Sequence, residues 1–202
     1  MPRKPRVEFP DAIHHVTIRG VNRSPVFRDD ADSWAFVQLL GSSCERHDWR
    51  IVAYCLMVNH AHLVLSTPAA NLGAGMQWLT ANHARRSHAR YRTSGQVFQG
   101  RYHSMLLKRD AYLLEVVRYV LLNPVRARLC RTATDWRWSS AREMVGLRPI
   151  PDWADFSILF GLLSEGGSSP RERMARFLEA SDPASRGQSP AGTAPGAGSD
   201  PS

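Results

Sequence analysis

The spacing of apolar positions changes in a regular order along the first two thirds of the chain. Ile13 to Arg19 (Ile-His-His-Val-Thr-Ile-Arg) is rich in β-branched residues and ends at Gly20, which predicts a strand followed by a loop. Asp29 and Asp30 can cap the helix that follows, and Trp34, Phe36, Val37, Leu39 and Leu40 give it one apolar side. Ile51 to Met57 and Ala61 to Leu65 are apolar runs separated by a short Val-Asn-His step, the pattern of two neighbouring strands. Asn71 to Arg92 reads as a helix, apolar early at Leu72, Met76 and Leu79, basic later, and ended by Thr93, Ser94 and Gly95. Tyr102 to Lys108 predicts a fourth strand, and Asp110 opens a helix over Ala111 to Leu122. Pro124 is expected to stop that helix, because the residue before a proline avoids the α region. The order β-α-β-β-α-β-α predicts an α+β fold. Its core is ferredoxin-like, an antiparallel sheet with helices mainly on one face, and one further helix is added to it.

With 202 residues the chain has room for one domain and an appendage. The expected organisation is a basic arm over 1–10, a catalytic domain over 11–130 and a helical extension over 131–182 packed on the core. In the extension, Trp136 and Trp138, the stretch from Trp153 to Leu163, and an amphipathic helix opened by Ser169-Pro170 and carrying Met174, Phe177 and Leu178 supply the apolar groups. From about Pro183 to Ser202 the composition is mostly Gly, Pro, Ala and Ser without an aromatic residue, which predicts a disordered tail.

Charge changes this picture most. The formal net charge is +8, and Trp49 to Arg109 contains no Asp or Glu, so Arg50, Arg85, Arg86, Arg90, Arg92, Arg101, Lys108 and Arg109 stand unopposed along the sequence. Such a block suits phosphates, as does the arm Arg3, Lys4 and Arg6, although an Arg-rich proteome alone also raises net charge. Cys44, Cys55 and Cys130 are odd in number and form no CxxC pair, so they read as core thiols. No apolar run approaches a membrane span and no signal segment follows the basic start; the expectation is a cytoplasmic, nucleoid-associated protein without a membrane partner.

Two features carry candidate chemistry. Side chains two apart on a strand share a face, so His60 and His62 would lie roughly 6 to 7 Å apart, where one metal ion can bridge them. Two polar residues on a solvated face have the same spacing. On the helix from Ala111, at about 100° per residue, Tyr112, Glu115, Tyr119 and Asn123 form one stripe beside an apolar face of Leu113, Val116, Val117, Val120 and Leu121. Tyr119 is thereby either a held residue reaching a cleft or an ordinary amphipathic tyrosine at the rim of a core.

Six motifs in order carry a resemblance: Glu8-Phe9-Pro10 with His15-Val16-Thr17 and Arg19-Gly20; Val58-Asn59-His60-Ala61-His62; Phe98-Gln99-Gly100-Arg101-Tyr102; Asp110-Ala111-Tyr112-Leu113; Arg118-Tyr119; and Leu122-Asn123-Pro124-Val125-Arg126-Ala127, followed by Trp138-Ser139-Ser140. Across residues 7 to 145 the chain resembles the REP-associated tyrosine transposases, the chromosomal branch of the HUH single-strand transposases of the IS200-like superfamily. The resemblance implies that His60 and His62 form a metal pair for Mg²⁺ or Mn²⁺, that Tyr119 is the nucleophile, and that Asn123, one turn later, is a third ligand, unless it caps its own helix where Pro124 interrupts the backbone. The implied substrate is single-stranded or hairpin DNA, cut and rejoined through a 5′-phosphotyrosine. Arg85, Arg86, Arg90, Arg92, Arg101 and the arm would grip the backbone, and unpaired bases would stack on Phe98 or Tyr102, unless these two rings simply pack in the core. His83 and Ser87 depart from the aromatic residues common in this branch. The implied state is a monomer, although mobile-element relatives pair as dimers. The rival is a non-catalytic hairpin-binding protein on the same fold; a carboxylate-dependent nuclease is opposed by the acid-free stretch.

Overall fold

The computed structural model describes residues 8–163 and 167–180. Arg3, Lys4, Arg6 and the tail after Ala180 lie outside them. The elements are β1 (Ala12–Arg19), α1 (Asp30–His47), β2 (Arg50–Met57), β3 (His60–Thr67), α2 (Leu72–Tyr91), β4 (His103–Leu107), α3 (Ala111–Arg126), α4 (Ala141–Met144), α5 (Ser157–Leu162) and α6 (Pro170–Glu179). The β-α-β-β-α-β order is observed, and the four strands form one antiparallel sheet in the order β2-β3-β1-β4.

Strand alternation divides the core in two. Val16, Ile18, Ile51, Leu56, Ala61, Leu63 and Leu65 face α1 and α2, where Phe36, Leu40, Leu72, Met76 and Leu79 close the layer. Ile13, Val52, Cys55, Met57, Val64 and Leu107 face the other way. The bare six-element unit leaves that second face open; here α3 covers it with Leu113, Val117, Val120 and Leu121, and Met144, Phe156, Leu159 and Met174 of the C-terminal segment pack behind. Cys44 and Cys55 are buried thiols and Cys130 is half-buried.

The extension also closes the edge of β2. Leu56 N–H donates to the Trp138 carbonyl, Ile51 bonds to Trp153 and Asp155, and the Trp136 indole donates to the Leu56 carbonyl. An open strand edge is a template for unwanted pairing, and this segment removes it. No described helix is long and apolar enough to cross a membrane.

The expected stop at Pro124 does not occur. α3 runs to Arg126, with Ala127 N–H donating to the Asn123 carbonyl. Proline withholds the donor that the Val120 carbonyl would receive. Asn123 compensates: its Nδ2 donates to the Tyr119 carbonyl at 2.8 Å and lies 3.5 Å from the Val120 carbonyl.

Candidate active site

The two histidines and the tyrosine arrive from different elements on one face of the sheet. β3 presents His60, His62 and Val64 toward α3, and Ala61, Leu63 and Leu65 toward the opposite core. α3 buries Leu113, Val116, Val117, Val120 and Leu121 and leaves Tyr112, Glu115 and Tyr119 exposed, with Tyr119 45% exposed, so the stripe expected from sequence is real. The Tyr119 ring stands edge-on to His62 with centroids 5.8 Å apart, and His60 and His62 are 5.1 Å apart. The Arg126 guanidinium lies 4.9 Å over the Tyr119 ring.

The hairpin turn that delivers His60 is clamped. Gly20 N–H bonds to the Asn59 carbonyl, and Val26 and Phe27 N–H both bond to the Val58 carbonyl. Gly20 is required there for closeness rather than for its dihedrals, because a Cβ would lie 2.1 Å from the Ser24 carbonyl oxygen. Asn59 donates Nδ2 to the Arg23 carbonyl at 3.1 Å, which turns its Oδ1 to His60 Nδ1 at 2.7 Å. A carbonyl oxygen only accepts, so His60 Nδ1 carries the proton and Nε2 keeps its lone pair. His62 Nδ1 lies 3.0 Å from His15 Nε2 and 3.2 Å from Thr17 Oγ1. Among the described residues, neither His60 Nε2 nor His62 Nε2 has a hydrogen-bond partner.

These imidazoles are held neutral. Burial, then the charges of His60, His15 and Arg19, push His62 from 6.5 down to about 3. Burial and Arg19 lower His60, and burial and His103 lower His15. A neutral imidazole is the ligating form. Among the described residues no group of three or more His, Cys, Asp or Glu is placed to hold a metal ion. Two imidazoles leave the rest of a cation's coordination shell to other donors, such as an amide oxygen, phosphate or water.

Residues 9–122 match the family described as Transposase IS200 like. The chain belongs to that family. Its members are transposases, DNA-cutting and DNA-transferring enzymes. A Haemophilus influenzae protein that carries the name REP-associated tyrosine transposase is 27% identical over 124 residues, which cover 55% of this chain and 70% of that one. A REP-associated tyrosine transposase solved with a REP hairpin superposes with a TM-score of 0.63 at 17% identity, covering 78% of this chain and 96% of the other; that likeness carries the fold.

Against this IS200-like frame, the remaining site residues divide. Arg85, Arg86, Arg92 and Arg101 are exposed. Arg90 is not available in the way its sequence neighbourhood implied, because its guanidinium pairs with Asp29 at 2.6 Å and with buried Asp32 at 2.5 Å. The acid-free block is thus not acid-free in space: α1 brings two carboxylates to the end of α2. His83, one of the departures from the family pattern, is buried, donates from Nε2 to the Val26 carbonyl and packs among Phe27, Phe36 and Phe98. His15 and Thr17 were not singled out as site residues by sequence, although their alternation on β1 puts them on one face. Only the β1–β3 register, Thr17 opposite His62, shows which neighbours they meet.

Proposed function

We propose that this chain is a metal-dependent single-tyrosine transposase that cleaves and rejoins single-stranded DNA beside hairpins. The observation that carries the proposal is the convergence of exposed Tyr119 on a pair of neutral imidazoles whose Nε2 atoms are free of protein partners among the described residues. A phenol ionises only near pH 10, about three units above neutrality, and needs help to attack a phosphodiester. When bound at His60, His62 and the Asn123 oxygen, Mg²⁺ or Mn²⁺ would polarise the scissile phosphate. Asn123 has only Oδ1 to give, since its nitrogen is engaged on the helix backbone.

The chain's own residues do the rest. Packing of α3 against the sheet fixes the position of the Tyr119 oxygen, and orientation of this kind is a large part of the rate gain in a bimolecular step. The Tyr119 oxygen forms a bond to phosphorus while the bond to the 3′-oxygen breaks; the phenol gives up its proton and the leaving 3′-oxygen takes one. A 5′-phosphotyrosine and a 3′-hydroxyl result, and a second 3′-hydroxyl can reverse the step without ATP because the phosphodiester energy is retained. The exposed arginines and the basic arm would hold the DNA backbone. Because α3 lies on the sheet of its own chain, a single copy contains both halves of the site, which supports a monomer.

The test is incubation with a hairpin oligonucleotide and Mn²⁺ followed by denaturing electrophoresis. The expected result is a covalent protein–DNA adduct that Tyr119→Phe does not form, together with loss of cleavage in His60→Ala at nearly unchanged hairpin affinity. An equal yield of adduct from Tyr119→Phe would remove the nucleophile assignment. A wild-type protein that binds the hairpin without ever forming an adduct would leave the hairpin-binding alternative.

A further inference from the structure

Arg19 ends β1 on the side of the sheet that carries the candidate site. The β1–β3 register sets it directly opposite His60, with Thr17 opposite His62. Directly opposed residues of an antiparallel pair share a face, with Cβ atoms about 4.5 to 5.5 Å apart. Ile18, between Thr17 and Arg19, is buried in the other layer under α1 and α2, as strand alternation requires. The backbone of Arg19 is held from both sides, by β3 and by Gln99, whose N–H donates to the Arg19 carbonyl. The side chain is exposed, and its charge helps to lower both His60 and His62, so the guanidinium lies within electrostatic reach of the pair.

Other arginines of the chain have acids to meet. Arg90 is paired with Asp29 and Asp32, Arg137 with Asp30, and Arg148 with Glu143. Arg19 has neither an ion pair nor a side-chain hydrogen bond among the described residues. No carboxylate is among the charges that act on His60 or His62, and Glu115 on the facing helix is therefore not an offset. A fixed cation thus stands against two metal-binding imidazoles with no anion between them. A divalent ion arriving at the imidazoles meets that charge, and repulsion over this range weakens its binding by at least about tenfold. A phosphate removes the conflict, because it ligates the ion and accepts two parallel N–H bonds from the guanidinium fork.

We infer that Arg19 is the phosphate clamp of the site and makes divalent-metal binding depend on DNA: its unopposed charge keeps the ion weakly held until a substrate phosphate pairs with it. The inference rests on the metal-dependent reading above. By linkage the ion then tightens DNA binding by the same factor, so neither is held firmly alone. The consequence is a site that is armed only when a strand lies across it. Arg19 also borders a cavity of about 520 Å³ on the α2 side of the sheet, with Glu8 and Gly73 in its lining. A guanidinium committed to that cavity would leave metal affinity untouched, and substitution separates the two placements.

The experiment uses the full chain with Tyr119→Phe, so that the DNA stays intact. Free Mn²⁺ is read by electron paramagnetic resonance with and without a saturating hairpin oligonucleotide, and His60→Ala serves as the blank for ions that DNA holds by itself. The hairpin is expected to tighten Mn²⁺ binding by at least about tenfold. Adding Arg19→Gln is expected to strengthen DNA-free Mn²⁺ binding by about tenfold and to shrink the gain from the hairpin to under about threefold. Arg19→Lys keeps the charge and is expected to keep the weak DNA-free binding. With Tyr119 restored, Arg19→Lys is expected to form the adduct at least about tenfold more slowly at saturating Mn²⁺, because the fork is lost. An unchanged DNA-free Mn²⁺ affinity in Arg19→Gln, or Arg19→Lys binding Mn²⁺ as Arg19→Gln does, overturns the clamp and leaves the metal-dependent reading standing. Mn²⁺ binding in the presence of hairpin that His60→Ala does not diminish overturns the metal reading itself.

Discussion

At the scale of single residues, the candidate centre depends on side chains that do not touch a substrate. Asn59 is oriented by the Arg23 carbonyl and in turn fixes the proton of His60 on Nδ1. Outer partners of this kind typically change metal affinity or activity by about 10- to 100-fold when removed. Asn59→Ala is therefore expected to raise the Mn²⁺ concentration needed for half-maximal adduct formation by at least about tenfold, with hairpin affinity little changed. An unchanged Mn²⁺ requirement in a folded variant would show that His60 selects its tautomer without this hydrogen bond. His15 and Thr17 stand in the same relation to His62. That His60 and His62 share a face was legible from their spacing, since strand side chains alternate with period two; their reading as a metal pair came from the resemblance. His15 was not, because what it meets depends on pairing between strands 47 residues apart.

At the scale of elements, α2 shows how far a local charge count reaches. Its arginines look equivalent in sequence, yet Arg90 joins α2 to the start of α1 through Asp29 and Asp32, with the Tyr91 hydroxyl also donating to Asp32. Arg85 and Arg86 are exposed and carry no ion pair among the described residues. The two kinds of arginine should separate experimentally. Replacing Arg85 and Arg86 together by Ala is expected to lower the slope of log affinity against log salt by about 0.7 to 0.9 for each phosphate that is no longer neutralised. Arg90→Ala is expected to lower the melting temperature and to leave that slope in place. A slope that falls with Arg90→Ala at unchanged melting temperature would return Arg90 to the DNA-binding set. α3 carries a related lesson: the proline rule ends it at Leu122, but Asn123 covers the carbonyls of Tyr119 and Val120, and the helix continues to Arg126.

At the scale of the whole molecule, the fold buries imidazoles in both layers. His14, His15, His60, His62 and His83 all have their pKa lowered from 6.5, with burial as the largest cause in each. In the unfolded chain these groups take up protons near 6.5, while the folded chain resists, down to about 3 for His62. The unfolded state thus binds more protons in that window, and stability falls as pH falls through it. Urea unfolding in metal-free buffer is expected to show a midpoint that is level above about pH 7.5 and declines steadily toward pH 4.5. Asp29, held near 2 by Arg90, adds its loss only below its ordinary 3.8. A midpoint flat between about pH 7.5 and 4.5 would contradict burial of the histidines. The order of strands and helices, the H-x-H face, the tyrosine stripe and the basic character were determined by the sequence itself, because each rests on a local period or composition. Tertiary structure alone decided what meets across the sheet: α3 laid over His60 and His62, His15 set against His62, acids drawn onto Arg90, and Glu8 carried 65 residues along the chain to Gly73 beside a cavity. Those meetings are set by strand register and layer packing, which local patterns do not encode.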